Sequence, residues 1–365
     1  MTEVAIVFLA AVCIQVVYLG VFLFAFLKSR NLPGCAPQPV SIIICAHDEE
    51  ENLRELLPLL LRQDHPEFEV IVVEDRCNDG TYDYLREATN KHPNLRMVRV
   101  QHKPDHISGK KYALTLGIKA AKYEHLLFTD ADCRPAGNQW ARVITSAYQP
   151  ATEIVLGFSP YQKTTGWLNA FIRFESLLTA IQYLGFAWLG NPYMGVGRNL
   201  SYKKSKFLSG KGFITHQHVT GGDDDLFVNQ YAKRSNTLAV ATPESIVYSK
   251  PASGWKQFLH QKRRHLAAGK YYRFGDKFIL GLFMLTWLAS WFLLVPAWLR
   301  GLPYFIAGVI LLRELVLMLL FAALTRKTGV QFELWKIPVL DFIFTFYYLV
   351  TGLRALVAKR LRWKN

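Results

Sequence analysis

The stretch VSIIICA, residues 40–46, is an apolar, β-branched run, and the mostly acidic stretch HDEE, residues 47–50, follows it directly. Runs of the same kind occur at EVIVVED (residues 69–75), LRMVRV (95–100) and HLLFTDAD (125–132). Each run is short and rich in β-branched or other apolar residues, a composition that is common in strands. We therefore predict a strand at each of these four places.

Helical patterns lie between these strands, at residues 50–63, 81–91 and 109–122. Strands and helices that alternate at this spacing are typical of right-handed βαβ units and a parallel sheet. Such sheets bind their ligands at the carboxyl ends of the strands. The chain carries acidic residues at these ends: Asp48 and Glu49 after the first strand, Asp75 at the end of the second, and Asp130 and Asp132 at the end of the fourth.

Two long apolar runs predict helices that cross a membrane. Residues 4–27 form a run of 24 residues without a charge, and residues 278–299 form another of 22. Each exceeds the roughly 20 residues that a helix needs to span a bilayer, so a buried core helix is the weaker alternative. The acidic start of the chain and the length of the first run favour an anchor over a signal peptide. Because Lys28 and Arg30 follow, the positive-inside rule places the next segment in the cytoplasm.

The last part of the chain contains two further apolar segments, residues 304–324 and 337–357. The first includes Arg313 and Glu314, adjacent charges that we expect to face protein or each other rather than lipid. Four spans would place the basic tail, residues 358–365, outside the membrane, against the positive-inside rule. We therefore expect the last apolar segment to be interfacial or re-entrant.

Residues 166–190 are apolar but carry an arginine, a glutamate and a glutamine, and a tryptophan lies near each end. This composition favours a helix that lies in the membrane interface, because amphipathic rings prefer that position. An ordinary core helix is the alternative.

Cysteine and charge usage restrict the class of protein. Five cysteines without a CxxC pair argue against a disulfide framework and a zinc site, and suit a reducing cytoplasm. The formal net charge of +15 could indicate nucleic acid as a partner. However, eight Lys and Arg residues against one acid crowd into residues 250–277, immediately before an apolar run. We therefore expect membrane lipids, and not nucleic acid, to be the partner of this basic segment.

Two motifs indicate phosphate and metal chemistry. In FTDADCRP, Asp130 and Asp132 follow a strand and could hold a hard divalent cation, which would also bind substrate phosphates. In SGKKYALTLG, Lys110 or Lys111 could meet a phosphate, although the stretch is not a Walker motif. Asp75 could accept a hydrogen bond from a base or a ribose.

Six short motifs occur in the order found in membrane-bound family-2 glycosyltransferases, which the chain resembles over about residues 40–270. SIIICAHDEEENL is similar to that family's opening strand and NEE segment, VEDRCNDGT to VDDxSxDGT, GKKYALTLG to GKxxALNxG, and FTDAD to its DxD motif. GVGRNLSY resembles GxNxAYR, and QKRRH resembles the QxxRW motif of processive and lipid-modifying members.

The resemblance implies an α/β GT-A fold, Rossmann-like with a mostly parallel sheet, as a cytoplasmic domain over residues 37–277. A transmembrane anchor (4–27) would precede this domain, and transmembrane or interfacial helices (278–357) would follow it. The implied reaction is an inverting sugar transfer from a nucleotide-diphospho-sugar with Mg²⁺ or Mn²⁺ as cofactor. The residues that the resemblance implies for donor binding are Asp48, Glu49, Asp75, Lys110, Asp130, Gln261 and Arg264. Asp130 and Asp132 would bind the metal. Asn199 and His265 would bind the acceptor.

An inverting displacement also needs a carboxylate that takes the proton of the acceptor hydroxyl. The acidic cluster in TGGDDDLF, residues 220–227, follows the DxD motif and is not otherwise assigned. Aligning Leu226 with the leucine of the family's "ED, one residue, DL" pattern makes Asp223 the base and puts Gly222 where a glutamate is usual. A slip of one residue would make Asp224 the base, and Asp225 is the remaining candidate.

His265 stands where the QxxRW motif has tryptophan, which weakens the case for a processive polymer channel. We therefore expect a single addition to a membrane-associated, lipid-linked acceptor. A processive polysaccharide synthase is the main alternative, and a nucleotidyltransferase or an inactive membrane scaffold is a weaker one. The expected location is a bacterial inner membrane. Sugar, nucleotide, acceptor and oligomeric state stay open, since one fold carries many chemistries.

Overall fold

A computed structural model of the chain describes residues 2–29, 34–105, 107–217, 219 and 221–357, so the predicted basic tail lies outside the described residues. The strands are β1 Val40–Ala46, β2 Phe68–Asp75, β3 Leu95–Val100, β4 His125–Phe128, β5 Cys133–Pro135, β6 Ile154–Leu156, β7 Leu200–Lys203, β8 Thr237–Ala239 and β9 Val247–Ser249. The helices are α1 Glu3–Lys28, α2 Glu50–Leu61, α3 Thr81–Lys91, α4 Gly109–Ala120, α5 Trp140–Thr145, α6 Trp167–Trp188, α7 Lys204–Ser209, α8 Asp225–Tyr231, α9 Trp255–Ala268, α10 Phe274–Phe292, α11 Leu294–Arg300, α12 Pro303–Thr328 and α13 Ile337–Val357.

The chain forms two compact units. The sheet unit comprises the described residues of Asn31–Gln162 and Gly190–Ala252. The helical unit comprises those of Met1–Arg30, Lys163–Leu189 and Ser253–Ala358. The helices α6 and α9 belong to the helical unit. The predicted domain bounds of residues 37–277 stay a prediction.

The sheet unit is built on a seven-stranded sheet in the order β3-β2-β1-β4-β7-β6-β8. The pairs β1–β2, β2–β3, β1–β4 and β6–β8 are parallel, and β7 pairs antiparallel with both β4 and β6. The predicted mostly parallel α/β sheet is confirmed. β1 and β3 have the predicted bounds, whereas β4 ends at Phe128, so that the DxD segment follows the strand.

Both faces of the central strands are covered, which explains why their sequences are continuously apolar rather than alternating. On one face, Ile42 and Val72 belong to a buried cluster that includes leucines of α2. On the other face, α4 approaches the sheet at Gly117. A Cβ atom on Gly117 would lie 2.8 Å from Val73 Cγ2 and 2.9 Å from Ile43 Cγ2. The glycine therefore sets how closely α4 lies against β1 and β2.

Three helical segments in the described part of the helical unit are long and apolar enough to cross a membrane. They are Glu3–Lys28 (α1), Pro303–Thr328 (α12) and Leu334–Arg354, which includes most of α13. The second predicted span, residues 278–299, is instead divided between α10 and α11, which meet at an angle of 51°. Pro296 explains the break, because its ring clashes with the carbonyl four residues earlier, at Phe292, the last residue of α10.

Within the helical unit, α6 is largely buried, including its Arg173 and Glu175. The ring of Phe174 stacks on Phe321 of α12 with centroids 5.2 Å apart. Lys262 of α9 forms an ion pair with Glu175. The structure thus favours the core-helix alternative over an exposed interfacial helix.

The adjacent charges in α12 face protein, as predicted. Arg313 is fully buried, and its Nη1 lies 2.5 Å from Glu314 Oε1 and 2.5 Å from Asp341 Oδ2 of α13. Trp291 Nε1 donates a hydrogen bond to the same Asp341 oxygen at 3.0 Å. These contacts give the charges partners away from lipid.

We expect Gly117→Val to lower the unfolding free energy by about 1–3 kcal/mol, because the added methyl groups overpack the space beside Val73 and Ile43. The thermal unfolding midpoint of the detergent-purified chain measures this effect. Gly137→Val is the matched control, since a Cβ on Gly137 meets nothing within 4 Å. Equal midpoint shifts in both variants would contradict the tight approach of α4.

Candidate active site

Three of the predicted site residues, Asp130, Asp223 and Asp224, lie around one lysine. Lys110 stands in the first turn of α4, and its Nζ lies 2.9 Å from Asp130 Oδ1 and 3.3 Å from Asp223 Oδ2. A cavity of about 20 Å³, close to the space that one water molecule needs, is lined by these three side chains together with Asp224. The DxD segment and the acidic cluster therefore belong to the same site.

The charge of Lys110 is stabilised by its neighbours. Burial by itself disfavours an ammonium, but the carboxylates of Asp130, Asp223 and Asp224 raise the pKa of Lys110 well above its usual range. Lys110 therefore stays charged at neutral pH and offsets the repulsion among these carboxylates.

Asp130 and Asp132 are both partly exposed and follow β4 directly. Burial and the adjacent Asp130 carboxylate raise the pKa of Asp132, while Arg198 acts in the opposite direction. Two neighbouring carboxylates at the end of a strand form a donor set that suits a hard divalent cation.

The three consecutive aspartates have different surroundings. Asp224 caps α8: its Oδ1 accepts the N–H of Asp225 at 2.8 Å, and its Oδ2 accepts the N–H of Gly197 at 2.6 Å. The side chain of Asp225 accepts the N–H of Leu226 at 2.8 Å. Among these three aspartates, Asp223 is the one whose ion pair with Lys110 the structure describes. Burial and the Asp223 carboxylate raise the pKa of Asp224.

The backbone before these aspartates explains the absence of the usual glutamate. Gly221 and Gly222 have φ angles of +84° and +73°, in the left-handed region that favours glycine. A Cβ on Gly222 would also lie 2.5 Å from Leu226 Cδ1. A glutamate would be strained in this conformation. The left-handed turn therefore explains why glycine, and not the family's usual glutamate, stands at position 222.

The structure separates the two adjacent lysines of the GKK segment. Lys111 is fully buried, and its Nζ donates hydrogen bonds to the carbonyl oxygens of His216 (2.6 Å) and Val219 (2.8 Å). Burial lowers the pKa of Lys111 to about 8. Lys110 is thus the candidate for a phosphate contact, and Lys111 anchors the segment that leads to Asp223.

The predicted donor residues near β1 and β2 form hydrogen bonds with protein groups at the ends of these two strands. Asp75 is buried, and its carboxylate accepts hydrogen bonds from Arg76 Nε (2.8 Å) and Nη2 (3.2 Å). Asp48 Oδ1 accepts the N–H of Asn78 at 2.7 Å. Asp48 and Arg76 both have φ near +55°, an uncommon conformation for residues other than glycine and one that clusters at functional sites. Glu49 accepts a hydrogen bond from the Asn52 side chain at 2.7 Å.

Asn199, predicted to bind the acceptor, is fully buried in the sheet unit. Its Oδ1 accepts the N–H of the Trp140 ring at 3.0 Å. Its Nδ2 donates to the carbonyl oxygens of Phe158 (2.8 Å) and Ser245 (2.7 Å). Both amide hydrogens are therefore used inside the protein, which gives Asn199 a structural role. Its predicted role toward the acceptor stays a prediction.

Gln261, Arg264 and His265 lie on α9, in the helical unit. His265 is exposed, whereas Gln261 and Arg264 are partly exposed. Their roles toward donor and acceptor stay predictions.

Comparison with known proteins gives a consistent result. Residues 41–220 match the sequence model of glycosyl transferase family 2. A probable glycosyltransferase of Bacillus subtilis is 24% identical over 247 residues, which is 64% of this chain and 55% of the relative. The poly-β-1,6-N-acetyl-D-glucosamine synthase of Staphylococcus epidermidis is 31% identical over 97 residues, 26% of this chain and 21% of the relative. The chain thus spans about half the length of the first relative and less of the second.

Among solved structures, a mannosyltransferase from Pyrobaculum calidifontis in complex with GDP-Man and Mn²⁺ aligns with a TM-score of 0.62. The alignment covers 96% of this chain and 98% of that one, at 20% identity. The likeness establishes the shared fold of the two proteins.

We expect Lys111→Met to speed hydrogen exchange at the amides of His216 and Val219 roughly tenfold. Hydrogen bonds from a charged group contribute about 1.5–3 kcal/mol of stability, and the variant loses them. Part of this loss is offset because the variant no longer buries a charge. Exchange read by mass spectrometry on peptides covering residues 211–222 measures the change. Lys119→Met, an exposed position on the same helix, is the control. Unchanged exchange would show that Lys111 does not anchor the segment.

Proposed function

The chain belongs to glycosyl transferase family 2, and from this premise we propose that it catalyses the inverting transfer of one sugar from a nucleotide-diphospho-sugar to a lipid-linked acceptor. The observation that carries the proposal is the position of Lys110. The ammonium of Lys110 contacts both Asp130 and Asp223. Asp130 belongs to the pair expected to bind the donor, and Asp223 belongs to the cluster expected to activate the acceptor. The reacting groups would therefore meet beside this lysine.

In the proposed reaction Asp223 is the general base. Its carboxylate accepts the proton of the acceptor hydroxyl while the hydroxyl oxygen forms a bond to the anomeric carbon of the donor sugar. The bond from that carbon to the diphosphate oxygen breaks on the opposite face, and its electron pair leaves with the nucleoside diphosphate. Asp224 holds the start of α8 to Gly197 and so positions Asp223 rather than acting as the base.

Asp130 and Asp132 would hold a divalent cation, Mg²⁺ or Mn²⁺. A bound ion of this kind supplies a Lewis acid that stabilises charge on a departing diphosphate. The Mn²⁺ in the complex of the structurally similar mannosyltransferase suits this assignment. Lys110 would add a second positive charge beside Asp130.

Donor recognition is proposed for several further side chains. Asp75 would accept a hydrogen bond from the nucleotide base, which requires that it share or release Arg76. Asp48 and Glu49 would line the same carboxyl edge of the sheet. Gln261 and Arg264 would contact the diphosphate, and His265 the acceptor.

A lipid-linked acceptor is proposed from the helical unit. Three of its helices could cross a membrane. The segment that begins with α9 has exposed basic residues, including Lys256 and Arg273, and exposed aromatic residues, including Trp255 and Phe274. Basic and aromatic side chains together suit an anionic membrane surface. With Lys28 in the last turn of α1, the sheet unit would be cytoplasmic. An inner bacterial membrane agrees with the bacterial relatives.

Processive polymer synthesis stays the alternative, and the polysaccharide synthase among the relatives favours it. His265, in place of the motif's tryptophan, favours the single addition. The two functions differ in product length.

The test is transfer of radiolabel from a panel of UDP- and GDP-sugars into solvent-extractable lipid by the detergent-purified chain with added membrane lipids. Asp223→Asn should lower turnover about 10²–10⁴-fold, because the base is lost, while donor affinity persists. Single-sugar products support the proposal, and a ladder of long products supports the processive alternative. Failure of every donor would overturn both.

The matched variant Asp224→Asn distinguishes the two possible bases. Its remaining oxygen can accept one of the two backbone N–H groups, so we expect a smaller loss of turnover, accompanied by a lower unfolding midpoint. An inactive Asp224→Asn of normal stability, beside an active Asp223→Asn, would show that Asp224 is the base.

We expect Asp132→Ala to reduce transfer at least about a hundredfold, because the Lewis acid would lose a ligand. EDTA should inhibit the wild-type chain, and added Mn²⁺ or Mg²⁺ should restore it. Asp83→Ala, at an exposed position on α3, is the control for charge alone. Transfer that is insensitive to both EDTA and Asp132→Ala would remove the metal from the proposal.

A further inference from the structure

Arg198, in the motif GVGRNLSY, lies in the sheet unit between two residues that are held in place. The N–H of its neighbour Gly197 donates to Asp224 Oδ2 at 2.6 Å. Its other neighbour, Asn199, is buried and joined by hydrogen bonds to three separate segments. The backbone of Arg198 is therefore fixed between the acidic cluster and the core of the sheet unit.

The side chain of Arg198 is held against an aromatic ring. Its Cζ lies 4.6 Å from the ring centroid of Tyr161, which is itself buried. A guanidinium that packs against an aromatic ring keeps its N–H groups available to hydrogen-bond acceptors.

One of those N–H groups lacks a partner. Arg198 Nη1 is buried and has no hydrogen bond within the described part of the chain. Asp132 and Asp130 act on the guanidinium electrostatically, but they do not supply that bond. Arg198 as a residue is partly exposed, but its Nη1 atom is buried. Burying a charged donor atom without a hydrogen bond is costly, so the unsatisfied Nη1 favours an anionic ligand.

We propose that Arg198 binds a phosphate oxygen of the donor's diphosphate and stabilises the charge that develops on it as the sugar departs. The inference rests on the proposed function and names a residue for it beyond those predicted from the family motifs. The planar fork of a guanidinium matches the oxygens of a phosphate. The two carboxylates expected to hold the metal would bring the diphosphate to this place. Arg198 and Lys110 would then supply the positive charges that come from the protein.

A different role would produce the same position: Arg198 could serve only as a counter-ion for Asp130 and Asp132. The two roles differ in their effect on the metal. A counter-ion opposes the binding of a cation to the same carboxylates, so its removal would strengthen metal binding. A phosphate ligand contributes only when the diphosphate is present.

The experiment is isothermal titration calorimetry of the detergent-purified full chain with Mn²⁺ alone, and then with UDP, GDP and inorganic diphosphate in the presence of Mn²⁺. We expect Arg198→Met to weaken the binding of the nucleoside diphosphates and of inorganic diphosphate roughly 10- to 100-fold, the effect of losing a charged hydrogen bond. Binding of Mn²⁺ alone should not change. Arg62→Met, an exposed position at the end of α2, is the matched control and should bind like the wild-type chain.

Arg198→Lys keeps the charge but loses the fork, so its affinity should lie between those of the wild-type chain and Arg198→Met. This variant keeps the test valid if Arg198→Met does not fold. Tighter Mn²⁺ binding with unchanged diphosphate affinity would overturn the inference in favour of the counter-ion role. A wild-type chain that binds neither nucleotide nor inorganic diphosphate would overturn the proposed function and this inference with it.

Discussion

The ion pairs of Lys110 are the interaction on which the candidate site depends. Its ammonium lies within 3.3 Å of carboxylates from two distant parts of the chain, Asp130 and Asp223. Without a cation at this point, the acids around the small cavity would repel one another, and burial would increase that repulsion. The lysine therefore allows two groups of residues to share one site. One group is expected to hold the donor, and the other is expected to activate the acceptor.

The start of α4 serves the site twice, through two adjacent residues. Successive side chains of a helix point about 100° apart. Lys110 accordingly reaches the carboxylates, and Lys111 reaches the carbonyl oxygens of His216 and Val219. Gly222, in a left-handed conformation, then turns the chain into α8. The position of Asp223 thus depends on a buried lysine and a glycine, neither of which takes part in the proposed chemistry.

Periodicity predicted the sheet well for a physical reason. β1 and β2 are buried on both faces, so their sequences are unbroken apolar runs that are visible without any structure. Parallel strands place their carboxyl ends at one edge, which is why the acids after β1, β2 and β4 are predicted to share a site. The helix α6 was harder to interpret. Its polar residues suggested an interface, yet Glu175 is buried in an ion pair with Lys262 from a distant part of the chain.

The sequence by itself determined the α/β sheet, the apolar helices, and the family, because each of these depends on local composition or on motifs in a fixed order. Only the tertiary structure decided which surroundings residues of the same type receive. Lys110 differs from Lys111, and Asp223 from Asp224, solely in what the folded chain places beside each side chain. Asn199 shows the same limit: its motif suggested a ligand contact, whereas its three hydrogen bonds come from segments that are distant in sequence. Such contacts leave no pattern in the chain, since they form between residues that only folding brings together.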